Sequence, residues 1–206
     1  MFFLRKEDTL TPSARDFLSR ERIQIRPAEE AKIERYRLLS GGFCEEKPEH
    51  MTHLNGDVLV AKNHPRIRFR GAMDTLEAEL LLCRKQTGKK ELEEILQLAR
   101  KLIRCEVMGE DVKEFTLCGL SQQEQRKRSH FPQDFYGQPH FMPEVSDTDV
   151  LLQINRCRCA ARAAELAAVD AFLDKEGNPT RTDILQALNR MSSMLYILMI
   201  QEKAGK

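Results

Sequence analysis

VLLQINRCRCAARAAELAAVDAF, residues 150–172, is the stretch whose reading decides the fold. Val150, Ile154, Cys157, Ala161, Ala164, Ala168 and Phe172 recur at helical intervals, so they share one face of an α-helix. Most of that face is small side chains, which lets a neighbouring helix approach closely. Ser146 with Asp149 supplies a capping signal, and the helix is expected to reach about Lys175. Gly177-Asn178-Pro179 stops it, and Thr180 or Thr182 opens a last helix with the stripe Leu185, Leu188, Met191, Leu195 and Leu198.

Upstream the pattern repeats. In KNHPRIRFRGAMDTLEAELLLCRK (62–85), Asn63 or His64 can cap and Pro65 suits the first turn, after which Leu76, Leu80 and Cys83 share a face. A second helix is expected after Lys89, with Leu92, Ile95, Leu96, Ala99, Leu102 and Ile103 as its stripe and Gly109 at its exit. The two should pair antiparallel. A polar helix around Ser121 to Ser129 leads into HFPQDFYGQPHFMPEVS (130–146), too rich in Pro, Gly and aromatics for a helix interior. Nearer the start, Thr11-Pro12 opens a short helix to about Arg20, RIQIR (22–26) alternates as a strand would, and Gly41-Gly42 and Pro48 loosen the chain. The expectation is an all-α fold: an appendage over 1–50, then one bundle domain of four or five helices over 51–206.

The 206 residues suffice for one ordinary core. Thirty-three basic residues against 32 acidic ones argue against a nucleic-acid footprint or a membrane-seeking surface. MFFLRKED lacks the apolar run of a signal peptide, and no stretch is long and apolar enough to span a bilayer, so a cytoplasmic location is expected. The six cysteines are expected to be free thiols. Cys157 and Cys159, two apart on a helix, diverge by about 200° and cannot share a chelate.

Chemistry is concentrated on the last two helices. Arg158, Arg162 and Glu165 fall at i, i+4 and i+7 beside the small-residue face, and Asn189 and Ser193 at i, i+4 with Arg190 adjacent. Periodicity alone reads the first set as an exposed Arg–Glu salt bridge. Two facing polar stripes in a bundle can equally build a site.

These segments resemble the ATP-dependent corrinoid adenosyltransferases. That family's first signature, Arg-x-x-x-Arg-x-x-Glu, is matched by Arg158, Arg162 and Glu165, and its second, Asn-Arg-x-Ser, by Asn189, Arg190 and Ser192. Lys62, Pro65, Arg66, Gly71 and Asp74 resemble the start of its first bundle helix. LTPSARDFL, MTHLNGDVLVAKNHPRIRFRGAMD, MPEVS and DILQALNRMSSMLYILMI are similar to the ethanolamine-utilisation branch in particular.

The resemblance implies transfer of the 5'-deoxyadenosyl group of ATP to the cobalt of reduced cobalamin. Arg158, Arg162 and Phe141 would then be the catalytic set, with Lys62 and Arg162 on the phosphates and Asn189 and Glu165 orienting the nucleotide. Thr52, His53, Asp57 and Arg190 would complete the binding set. An aromatic or apolar side chain is implied to displace the lower axial ligand of cobalt; the matching column is His140, and Phe141 beside it is preferred because imidazole would ligate cobalt. Magnesium with ATP, an electron-delivering reductant and a homo-oligomer, dimer or trimer, are also implied, and the branch is compatible with a bacterial microcompartment. Departures are visible too. LNGDVLVA (54–61) keeps only Gly56 and Asp57 of the family's phosphate loop, and Ser193 stands where the wider family has an aspartate. Cys44, His50 and His53 fall short of a metal site, so no resident metal is expected. The competing reading is a non-catalytic corrinoid-binding or scaffold protein.

Overall fold

Seven helices form among residues 2–4, 8–27 and 36–205, which the computed structural model describes. They do not make the fold purely all-α. The chain divides into two units, Met1–Val60 and Ala61–Lys206. In the first, β1 (Phe2–Leu4) pairs in parallel with β2 (Ile25–Pro27). Between them α1 (Pro12–Arg20) starts at Thr11, whose hydroxyl accepts the Ala14 N–H at 3.3 Å. The strand expected over 22–26 thus lies slightly later.

A mixed four-stranded sheet follows, in the order β4-β3-β6-β5, from β3 (Tyr36–Leu38), β4 (Phe43–Cys44), β5 (Met51–Asn55) and β6 (Val58–Ala61). This corrects the all-α expectation. Strands this short carry too few alternations for periodicity to register. What marks them is chemistry: Gly56, at φ +53°, makes the turn between β5 and β6, and Val58, Leu59 and Val60 form a buried aliphatic run.

The second unit is the helical bundle. α2 (Pro65–Thr87) begins at His64, whose Nδ1 accepts the Arg66 N–H at 3.2 Å. Burial first, then the Arg66 and Arg70 charges, push the His64 imidazole below its ordinary range, which keeps that acceptor unprotonated. α3 (Glu91–Met108) follows after the left-handed Gly88. Where they meet, the fully buried Glu106 carboxylate accepts from Arg66 Nε at 2.6 Å and Arg70 Nε at 2.7 Å. A small hairpin, β7 (Thr116–Leu117) and β8 (Leu120–Ser121), leads into α4 (Gln122–His130), which a Ser121/Glu124 capping box starts.

The segment read as a loop contains one helical turn, α5 (Pro132–Tyr136), with Pro132 in its first turn. α6 (Asp149–Phe172) is capped by Thr148, which accepts the Leu151 N–H at 3.2 Å, and not by Ser146. It ends short of Lys175 because Asp174 Oδ1 accepts the Glu176 and Asn178 amides at 3.0 and 2.7 Å, building a tight turn instead. α7 (Thr182–Lys203) closes the fold.

α6 lies between α2 and α7, with α3 against α2 and α4 along α7. Arg156 meets Glu79 at 2.7 Å and Arg68 meets Asp170 at 3.9 Å, so α6 runs antiparallel to α2. Ala161, Ala164 and Ala168 are wholly buried at that close contact, and Phe69 meets Phe172 edge-on at 5.3 Å.

The start of α7 is tied down electrostatically. Asp183 accepts the Val112 N–H at 2.8 Å and pairs with Arg181 at 2.9 Å. Burial alone would raise its carboxyl, but Arg181 and the Val112 amide outweigh that and bring it from 3.8 to about 2. A depressed carboxylate stabilises the fold fully above its unfolded pKa and loses that contribution as pH falls through the folded one. Asp183→Asn is therefore expected to be less stable than the parent at neutral pH and to flatten the loss of stability between about pH 4 and 2. Urea titrations across that range would show it; parallel curves for parent and variant would contradict it.

Candidate functional site

The two polar stripes meet in the groove between α6 and α7, but not as an Arg–Glu salt bridge. Glu165 Oε1 instead accepts the Asn189 amide at 2.9 Å, and Asn189 Oδ1 accepts from Arg190. Arg158 donates through Nε and Nη2 to Asn155 Oδ1, its own helix neighbour, at 3.1 and 2.9 Å. Arg162, one turn further along α6, is exposed. Neither Arg158 nor Arg162 has a carboxylate within ion-pairing distance among the described residues, whereas Arg66, Arg70, Arg100, Arg156 and Arg181 each meet one. Guanidiniums held on a helix face without a counter-charge suit an anionic ligand.

Arg158 also lines a cavity of about 300 Å³ with His140, Phe141, Met142, Pro143, Tyr196 and Met199. The structure therefore joins the loop before α6 to the arginine stripe. Tyr196 organises this end, and sequence reading missed it. Its ring stacks on His140 at 5.8 Å and on Phe141 at 6.0 Å. Its oxygen lies 3.0 Å from His140 Nδ1 and accepts the Phe141 N–H at 3.4 Å. His140 Nε2 donates to the His130 carbonyl at 3.1 Å, so both imidazole nitrogens are engaged within the protein. Phe141, half-buried, is stacked on Tyr196 on one side and has Lys203 Nζ 5.6 Å from its ring centroid. The missed signal was periodic: Asn189, Ser193 and Tyr196 continue one stripe of α7.

Of the remaining sequence candidates, Arg190 is buried beside Asn189. Lys62 is exposed, just before α2. Thr52 and His53 lie on β5, where His53 Nδ1 donates to the Gly56 carbonyl at 3.1 Å. Asp57 sits at the turn after it, 3.6 Å from Arg37, with both side chains largely exposed. These three belong to the first unit, and the rest to the second. No group of three or more His, Cys, Asp or Glu side chains converges to hold a metal among the described residues. No described helix is long and apolar enough to cross a membrane.

The sequence profile of the cobalamin adenosyltransferases matches residues 43–202, which include the bundle helices, both stripes and the loop: the chain belongs to the cobalamin adenosyltransferase family. Among individual proteins it is similar to the corrinoid adenosyltransferase EutT of Salmonella typhimurium, 30% identical over 93% of this chain and 81% of that protein. The corrinoid adenosyltransferase EutT of Escherichia coli is 32% identical over 75% of this chain, and the match spans 59% of that protein's length. No solved structure matches the chain significantly.

Proposed function

We propose that this chain transfers the 5'-deoxyadenosyl group of ATP to the cobalt of reduced cobalamin, giving adenosylcobalamin for ethanolamine breakdown. The observation that carries this reading is the two guanidiniums of Arg158 and Arg162 on α6, which meet no carboxylate among the described residues and lie beside the Glu165–Asn189 bond and the aromatic-lined cavity. A phosphate-binding element and an apolar, ring-lined element side by side fit a reaction between a nucleotide and a corrinoid. EutT of Salmonella typhimurium carries the name corrinoid adenosyltransferase and is similar along nearly the whole chain, which supports the same reading.

In the reaction the cobalt(I) electron pair attacks the ribose 5'-carbon, a cobalt–carbon bond forms, the carbon–oxygen bond breaks, and the polyphosphate leaves with that bond's electrons. No general base is required. The protein's tasks are alignment, charge neutralisation on the leaving phosphates and exclusion of water. Arg162, with Lys62, supplies the neutralising cations, and Arg158 stands between phosphates and corrinoid. Glu165 and Asn189, already bonded to each other, offer an ordered acceptor and donor for the nucleoside. Arg190 completes the nucleotide contacts made by the bundle. Magnesium arrives on the phosphates, and an ion held by them needs few protein ligands. A reductant that delivers the electron, a cytoplasmic location and self-association as a dimer or trimer complete the proposal. Saturable ATP binding by the purified chain is the test against a scaffold or corrinoid carrier; its absence would favour that alternative.

Phe141 is the residue assigned to the corrinoid's lower face. Its half-buried ring, stacked on Tyr196, lines the cavity, while both nitrogens of the neighbouring imidazole are already engaged. Phe141→Ala should leave ATP binding intact and lower the population of four-coordinate cob(II)alamin seen by electron paramagnetic resonance. Turnover from cob(II)alamin should slow severalfold more than from pre-reduced cob(I)alamin, since only the former requires the axial ligand to leave first. Equal slowing from both would remove the assignment.

A further inference from the structure

The face between α4 and α7 carries two cations, Arg126 and Arg190, that no carboxylate meets at ion-pairing distance among the described residues. The two helices run parallel: Gln186 donates to Gln122 at 2.8 Å near their starts, and Tyr196 is linked to the His130 carbonyl through His140 at the far end. One turn beyond the glutamine pair stand Arg126 and Arg190, each four residues on. Arg190 is 9% exposed, and its buried Nε has no hydrogen-bond partner. Burial first, and then the charge of Arg126, push its guanidinium below the ordinary range, with the Glu165 charge acting the other way. Glu165 is already the acceptor of the Asn189 amide.

Arg126 is exposed and, like Arg190, has no carboxylate within ion-pairing distance among the described residues. Its neighbours on α4 are committed elsewhere: Arg128 meets Glu124 at 3.4 Å, and Lys127 and Arg128 both lie over the Phe135 ring, at 5.6 and 5.4 Å. A buried, half-satisfied guanidinium next to a second like charge is costly unless an anion joins them.

We propose that Arg126 and Arg190 together hold a polyphosphate oxyanion, with Arg126 reaching from α4 to the distal end of the ATP tail that the reaction expels. This rests on the adenosyl-transfer reading and adds to it a helix, α4, outside the signature segments. It gives the leaving group cations on three helices: Arg162 on α6, Arg190 on α7 and Arg126 on α4.

The test uses inorganic tripolyphosphate and ATP as probes, with binding to the whole chain followed by calorimetry. Arg126→Ala should weaken tripolyphosphate and ATP by roughly tenfold each, the loss of one charge-assisted contact, and leave adenosine binding unchanged. Arg126→Lys should keep most of the affinity, and Lys127→Ala should match the parent. Because Arg126 is exposed, its replacement should not change the thermal midpoint. Unchanged tripolyphosphate affinity in Arg126→Ala, in a parent that binds ATP, would overturn the subsite and leave the adenosyl-transfer reading standing. A parent that binds neither ATP nor tripolyphosphate would overturn both.

Discussion

Arg162→Ala is expected to weaken apparent ATP affinity by roughly ten- to hundredfold, the loss of a charge-assisted contact worth about 1.5–3 kcal/mol. Arg162 is exposed on α6 and has no carboxylate partner among the described residues, so its removal breaks no internal bond and should leave the melting temperature almost unchanged. The effect should appear in the ATP KM and be nearly absent from the corrinoid KM, because the cavity at the loop is lined by Arg158 and not by Arg162. Arg162→Lys should recover part of the loss, since a point charge replaces a planar fork. ATP kinetics that match the parent in a folded Arg162→Ala protein would return this residue to an ordinary solvated cation.

The largest effect on stability is expected at Glu106. Its carboxylate is 0% exposed and bridges Arg66 and Arg70, whose side chains are 26% and 19% exposed. Arg66 also donates to the Glu106 backbone carbonyl at 3.2 Å, so the first turns of α2 are fastened to the end of α3. Breaking a buried ion pair by removing one member leaves charge without compensation and costs about 3–5 kcal/mol. Glu106→Ala should lose stability of that order in urea denaturation. Glu106→Gln keeps an acceptor without the charge and should fall between. A loss below about 1 kcal/mol for Glu106→Ala would mean that solvent already screens the cluster.

This cluster also shows where reading the sequence reaches its limit. The helices were legible because their apolar stripes are long: the Ala161, Ala164, Ala168 face and the Leu188, Met191, Leu195 face are buried as the spacing requires. Glu106 sits in the last turn of α3, forty residues from Arg66, and nothing local distinguishes it from a solvated glutamate. The four-stranded sheet was missed because its strands span two to five residues, less than periodicity needs. At the site, the residues that match the family signatures were legible as residues, but their partners were not. Spacing paired Glu165 with an arginine; the fold pairs it with Asn189 on the opposite helix. Tyr196 and Arg126 depend on which helix lies beside α7, a fact of packing that α4's weak apolar pattern does not announce.

The measurement that bears most directly on adenosyl transfer is an anaerobic assay of the purified chain with chemically reduced cobalamin and MgATP, followed by absorbance as the cob(I)alamin band gives way to the light-sensitive alkyl-cobalt spectrum. Adenosylcobalamin is expected to form in proportion to ATP consumed, saturably in both substrates, and to be lost on replacing Arg162. Saturable cobalamin binding with no ATP-dependent product, in protein shown to be folded, would contradict it and leave a corrinoid-binding protein in its place.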